Sequence, residues 1–154
     1  MEKQRKRKNY VLIVSRKFLK EHPKSGFETN FVEKILNGKK VHTIRPNVEY
    51  WKKVLFEVQL GNAILSIRYW TGKPYISKQK IVANLTDEHC IGYEIINLKN
   101  IIKYDNEFLH LIASNDGLEV KDFLDWFKYE KLKEHQIIIH FSPMRYGSRL
   151  YKAN

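Results

Sequence analysis

The sequence predicts an α+β fold in which a small, mostly antiparallel β-barrel is flanked by helices. Three observations carry this. Strand-like and helix-like segments are interspersed; the central strands follow one another across short turns; and 43% hydrophobic with 13% aromatic residues in 154 positions is enough apolar material for one buried core. Consecutive strands joined by tight turns favour a barrel over a doubly wound parallel sheet, whose strands need long crossovers.

Taken in order, residues 1–9 read as a basic flexible tail and 10–154 as a single domain. Tyr10 to Val14 is a short buried strand rich in branched apolar residues, followed by a loop over 17–26 closed by Pro23, Ser25 and Gly26. Helical periodicity begins near Glu28, puts Phe31, Val32, Ile35 and Leu36 on one stripe, and stops at Gly38, where a helix end favours a left-handed residue. Val41 to Arg45 is a strand halted by Pro46. Asn47 then caps a second helix through about Glu57, with Tyr50, Trp51, Val54 and Leu55 inward. Ala63 to Trp70 is a strand, Thr71-Gly72-Lys73-Pro74 a turn, and Tyr75 to Leu85 the partner strand. A further strand runs from Cys90 to Leu98, with Cys90 expected to be a buried small hydrophobe. A helix from Asp105 to Ser114 is broken by Asn115-Asp116-Gly117, and an amphipathic helix over 119–129 faces inward through Val120, Phe123, Trp126 and Phe127. Gln136 to Phe141 is the last strand, and Met144 to Asn154 a basic tail.

Charge narrows the choice of partner. The chain holds 28 Lys plus Arg against 17 Asp plus Glu, a formal charge of +11. Residues 1–80 carry 19 basic and 6 acidic residues, and residues 81–154 carry 9 and 11, so the whole excess belongs to the first half. Such segregation suits a polyanion, because Lys and Arg release the counterions condensed on phosphates. RNA or a nucleoside or nucleotide is the expected partner. One cysteine excludes an internal disulfide and any multi-cysteine metal site. The six histidines form no ligand-spaced pair, so they read as ordinary hydrogen-bonded or exposed residues, and neither metal nor cofactor is implied. No apolar run approaches the ~18 residues of a membrane span and no signal peptide is evident, so no membrane partner and a cytoplasmic location are expected.

Two clusters carry candidate chemistry. In Gly38-Lys39-Lys40-Val41-His42-Thr43-Ile44-Arg45, a helix ends at glycine, two lysines follow, and alternation places Thr43 and Arg45 on one strand face with His42 and Ile44 on the other. Lysine supplies a point charge, arginine a planar fork for phosphate, and threonine a hydroxyl able to orient or attack a substrate. In Arg68-Tyr69-Trp70-Thr71-Gly72-Lys73-Pro74-Tyr75-Ile76-Ser77-Lys78, aromatic and basic residues interleave at a hairpin tip. Arg68, Trp70, Lys73, Tyr75 and Lys78 are thus candidates to stack a base and hold its phosphate.

The first cluster resembles the G-x-K-x-x-T-x-R signature of the ASCH domain, a family with the PUA-like β-barrel fold. Asn115-Asp116-Gly117-Leu118 before the Asp122 to Phe127 helix, and the closing Ile137-Ile138-Ile139-His140-Phe141, are weaker echoes, so the likeness spans most of residues 28–141. The resemblance implies RNA-related function: some members bind RNA, and others are small amidohydrolases that deacetylate 4-acetylcytidine with a lysine, a threonine and a glutamate. The lysine falls on Lys40, the threonine on Thr43 and the arginine on Arg45. The nearest counterpart of the glutamate is Asp116, one methylene shorter, with Glu107 the other carboxylate in reach of the comparison; Val41 stands where the family enzymes tend to have a further threonine. Lys39 and Arg45 are positive neighbours of the sign that lowers a lysine's pKa. The expectation is therefore a cleft between the Lys40–Arg45 strand and the 69–78 hairpin that binds RNA or a modified nucleoside. Hydrolysis by Lys40, Thr43 and Asp116 is the alternative, and a protein-interaction module with an incidental basic face is a further one.

Overall fold

A computed structural model describes residues 6–153, so residues 1–5 of the basic tail lie outside the described residues. In chain order the elements are β1 (Lys8–Ile13), α1 (Phe31–Leu36), β2 (His42–Arg45), α2 (Val48–Gln59), β3 (Ala63–Trp70), β4 (Gln79–Leu85), β5 (Gly92–Ile96), α3 (Leu98–Tyr104), α4 (Asn106–Asn115), α5 (Val120–Trp126), β6 (Gln136–His140) and α6 (Ser148–Ala153). The α+β class holds: the six described strands form two three-stranded sheets, ordered β1-β3-β4 and β2-β6-β5.

No closed barrel is formed among the described residues. Closure would have to join the edge strands of one sheet, β1 and β4, to those of the other, β2 and β5, and no backbone ladder connects the two sheets. A side chain spans the gap instead, with Arg45 Nη2 donating to the Ile13 carbonyl at 2.6 Å. One pair is also parallel. β1 runs alongside β3 from Lys8 opposite Ala63 to Ile13 opposite Arg68, because the intervening chain contains two helices and returns in the same direction.

The second sheet divides the apolar interior. Alternation along β6 sends Ile138, with Ile44 opposite it, into a core completed by Ile96, Leu98, Ile101, Phe108, Ile112 and Phe123 from the helical side. Ile137 and Ile139 face the other way, onto Leu12, Leu65, Ile67 and the inner face of α2 (Trp51, Val54, Leu55, Val58). Both flanks of β6 are sealed, and every residue from Gln136 to His140 is buried.

Several boundaries differ from those the sequence suggests. β1 starts at Lys8, two residues inside the expected tail, because Lys8 and Asn9 continue the ladder to Ala63 and Ile64. α1 starts at Phe31 rather than near Glu28. Glu28 is extended in a bridge to Lys17, Thr29 Oγ1 donates to the Ser15 carbonyl at 2.7 Å, and Asn30 takes a left-handed φ of 59°. β4 begins at Gln79, not Tyr75, because the tip closes on itself: Gly72 N–H donates to Ser77 Oγ, Ser77 Oγ donates to the Lys73 carbonyl, and Thr71 donates twice to Lys78 O. The strand expected over Cys90–Leu98 stops at Ile96, and α3 follows behind an Asn97 cap that accepts from Asn100 N at 3.2 Å. Cys90 is exposed, not buried, because it turns the chain at φ 54° after the helical turn 87–89. α6 lies inside the segment read as a tail.

Candidate functional site

The chain leaves α1 through a left-handed turn. Gly38 has φ 77°, and the N–H groups of both Lys39 and Lys40 donate to the Lys34 carbonyl, at 2.8 and 2.9 Å. This turn points Lys39 outward and Lys40 inward. Lys40 is 3% exposed and Thr43 7%, and both line a cavity of about 310 Å³ with Arg45, Asp116, Phe31, Trp126, Phe127 and residues 13–15 at the open seam between β1 and β2.

Asp116 reaches the same cavity from the opposite end of the sequence. α4 ends there, Gly117 follows at φ 84°, and Val41 N–H donates to the Asn115 carbonyl at 2.9 Å, tying this turn to the start of β2. Lys40 Nζ donates to the Asp116 carbonyl at 2.7 Å and to its Oδ1 at 3.1 Å, and sits 4.3 Å from the centre of the Phe31 ring. Lys34 Nζ donates to the neighbouring Gly117 carbonyl at 2.7 Å. Burial pushes the Lys40 ammonium below its ordinary value. Asp116 pulls the other way, and the cations of Arg45 and Lys34 add to the fall. Arg45 is lowered by burial as well, and its Nε is a buried donor without a partner among the described residues. The Thr43 hydroxyl makes no hydrogen bond to any described residue, although it borders the cavity.

Behind Asp116 lies a second polar layer. His42, fully buried, places Nδ1 3.3 Å from Asp116 Oδ1 and Nε2 2.5 Å from the Tyr146 hydroxyl, which also accepts from Asn115 Nδ2 at 3.1 Å. Glu94 holds Tyr146 there, accepting the N–H groups of Tyr146 and Gly147 at 2.8 and 2.9 Å and contacting His140 Nε2 at 2.7 Å. Burial, reinforced by His42, pushes His140 down to about 4 against the pull of Glu94, while burial pushes the Tyr146 phenol up.

The hairpin residues divide. Trp70, Lys73 and Tyr75 line a larger cavity of about 900 Å³, which shares Ile13, Val14, Ser15 and Leu19 with the Lys40 cavity, so the two adjoin. The Trp70 and Tyr75 rings lie 5.4 Å apart, and Tyr75 is 90% exposed at a left-handed φ of 68°. Tyr69, on the opposite strand face, packs on the core as alternation requires.

Four residues fall outside these cavities. Lys39 is exposed and borders neither, and the lysine whose charge acts on Lys40 is Lys34. Arg68 is turned back onto Ser66 Oγ at 2.9 Å, and Lys78 is exposed beside the hairpin base. Glu107 is exposed in the first turn of α4. Residue type and spacing did not single out His42, Tyr146 or Lys34. The one available signal is that His42 alternates with Thr43 and so faces the buried side of an edge strand, where a polar ring needs partners.

No protein-family model, curated protein or solved structure matches the chain. Among the described residues no three His, Cys, Asp or Glu side chains gather as a metal site, and no helix is long and apolar enough to cross a membrane.

Proposed function

We propose that the protein is an amidohydrolase acting on an acylated nucleoside of the 4-acetylcytidine kind, free or within RNA, as the likeness of the Gly38–Arg45 segment to the ASCH signature implies. On this reading the two sheets correspond to the two halves of a PUA-like barrel, with no ladder between them. The observation that carries it is the pairing, in one cavity, of a buried lysine gripped by a carboxylate and a threonine hydroxyl with no hydrogen bond to any described residue. A protein that only tracks a phosphate backbone needs its cations on the surface, whereas Lys40 and Arg45 are drawn inside, where a compact ligand meets them.

Lys40 and Thr43 share the cavity without a hydrogen bond between them, so the reaction requires that ligand binding bring them together; the fraction of Lys40 that is neutral then takes the Thr43 proton as Oγ1 adds to the amide carbon. The oxyanion that forms is balanced by the Arg45 guanidinium, and Lys40 returns the proton to the departing exocyclic amine. Water then cleaves the acyl-threonine ester, releasing the acid and restoring the hydroxyl. Burial serves this chemistry because it lowers the cost of holding Lys40 neutral. Trp70 and Tyr75, next door, supply aromatic faces for a flanking base, and Lys73 a cation for its phosphate.

Binding of RNA without chemistry is the second reading, favoured by the aromatic and basic walls of the adjoining cavity. Turnover of 4-acetylcytidine decides between them. The Thr43→Val variant keeps the shape and breaks no hydrogen bond among the described residues, so it should fold normally and lose deacylation. Salt-sensitive RNA binding with no deacylation by the unmodified protein would leave only the binding reading.

A further inference from the structure

The hydrogen bonds behind Asp116 form a directed chain. A carboxylate oxygen only accepts, so the contact between Asp116 Oδ1 and His42 Nδ1 requires the proton on Nδ1. Asn115 Nδ2 only donates, so it fills an acceptor position on the Tyr146 hydroxyl and leaves that hydroxyl's own proton for His42 Nε2. The raised Tyr146 phenol keeps that proton, and Glu94 fixes the ring by binding the backbone of Tyr146 and Gly147. The chain runs Asn115, Tyr146, His42, Asp116, and it ends on the same oxygen that Lys40 uses.

We propose that His42 is a positioning residue that sets the basicity of Lys40: by donating to Asp116 Oδ1 it shares the oxygen that pairs the lysine and loosens the carboxylate's hold on the lysine proton. Two donors on one oxygen compete for its negative charge, so each is bound less tightly than it would be alone. The groups facing Lys40 are Asp116, Arg45 and Lys34, and those facing His42 are Asp116, Tyr146 and His140, with Glu94 beyond His140. Among the described residues Asp116 is the one carboxylate that touches both, and both contacts use its Oδ1. The idea builds on the hydrolytic reading for its kinetic consequence, but its direct readout is the ionisation of Lys40, which needs no substrate.

The test is a pH titration of lysine-selective ¹³C NMR signals, with Lys40 assigned by its loss in Lys40→Met. His42→Phe should raise the Lys40 midpoint by about one pH unit, a roughly tenfold change in proton affinity, because Asp116 then serves the lysine alone. His42→Asn, whose side-chain amide reaches the position of Nδ1, should restore most of the wild-type midpoint. Tyr146→Phe removes the hydroxyl that aligns the ring and should shift the midpoint the same way by less, covering the case in which His42→Phe fails to fold. An unmoved midpoint in the variants that fold, or a His42→Asn variant as perturbed as His42→Phe, overturns the proposal. In deacylation assays the acid limb of kcat should move to higher pH in parallel, with KM unchanged. A moved midpoint with no turnover by the wild-type protein refutes the hydrolase and keeps the role of His42; turnover with an unmoved midpoint does the reverse.

Discussion

Lys40 Nζ reaches both the main-chain carbonyl and the Oδ1 of Asp116, at 2.7 and 3.1 Å, so one buried cation fixes the backbone and the side chain of a residue 76 positions away. The two ends of the candidate site are therefore held by the same contact that the proposed reaction would use.

Removing the lysine leaves a buried carboxylate with only His42 on Oδ1. Breaking one side of a buried pair costs ~3–5 kcal/mol, and the remaining donor places Lys40→Met toward the lower end. Adding Asp116→Asn should recover part of that loss. A thermal-denaturation cycle of the two single variants and the double variant checks this, and strict additivity would contradict it.

Gly117 bears on the site through space. It has φ 84°, and a Cβ built there lies 3.2 Å from Lys40 Cβ and 3.4 Å from Lys34 Cδ. Gly117→Ala should cost about 1–2 kcal/mol for the left-handed backbone and also displace Lys40, lowering both Tm and deacylation. Gly38→Ala is the control. It has φ 77° with nothing within 4 Å of the added carbon, so it should lower Tm alone.

Acid should weaken the fold through His140. Its pKa falls from 6.5 to about 4 on folding, so below 6.5 the unfolded chain takes up a proton that the folded chain refuses. The sign is a stability that is full above pH 6.5 and lost as pH falls toward 4, by at most ~3 kcal/mol. Urea denaturation at pH 7 and pH 4.5 measures the difference, and His140→Gln should flatten it.

Tyr75 trades backbone ease for an exposed ring. A tyrosine at φ 68° carries about 1–2 kcal/mol of strain that glycine escapes. Tyr75→Gly should therefore raise Tm slightly or leave it unchanged, while weakening RNA or nucleoside binding about tenfold; Trp70→Ala should weaken binding similarly. Wild-type affinity in both variants would remove the hairpin from the site.

Local pattern carried most of the elements. Trp51, Val54 and Leu55 of the α2 stripe, the inward face of α5, the strands β3 and β6, and the glycine stop after α1 all appear close to where periodicity and turn chemistry put them, because each depends on residues within a few positions, whereas Tyr50, expected inward, is exposed. What else went astray lay at loops and element ends, where turn conformation and caps rather than periodicity decide. Asn30 takes its left-handed φ in a loop whose Thr29 is bonded to Ser15, Ile96 ends its strand so that Asn97 can cap α3, and Cys90 is exposed because it turns the chain.

The same division runs through the site. Composition and spacing pointed to an α+β fold with its positive charge in the first 80 residues and to the Gly38–Arg45 cluster, and the resemblance to the ASCH signature picked out Lys40, Thr43, Arg45 and Asp116 from it and from the Asn115–Gly117 turn, because residue type and order are local facts. Only the tertiary structure decided that Lys40 is buried against Asp116, that Lys34 replaces Lys39 as its neighbouring charge, that Arg68 turns away, and that His42 and Tyr146 stand behind the acid. Burial and hydrogen-bond pairing are properties of residues far apart in the chain. They exist only once α4, β2 and the segment before α6 have been brought together.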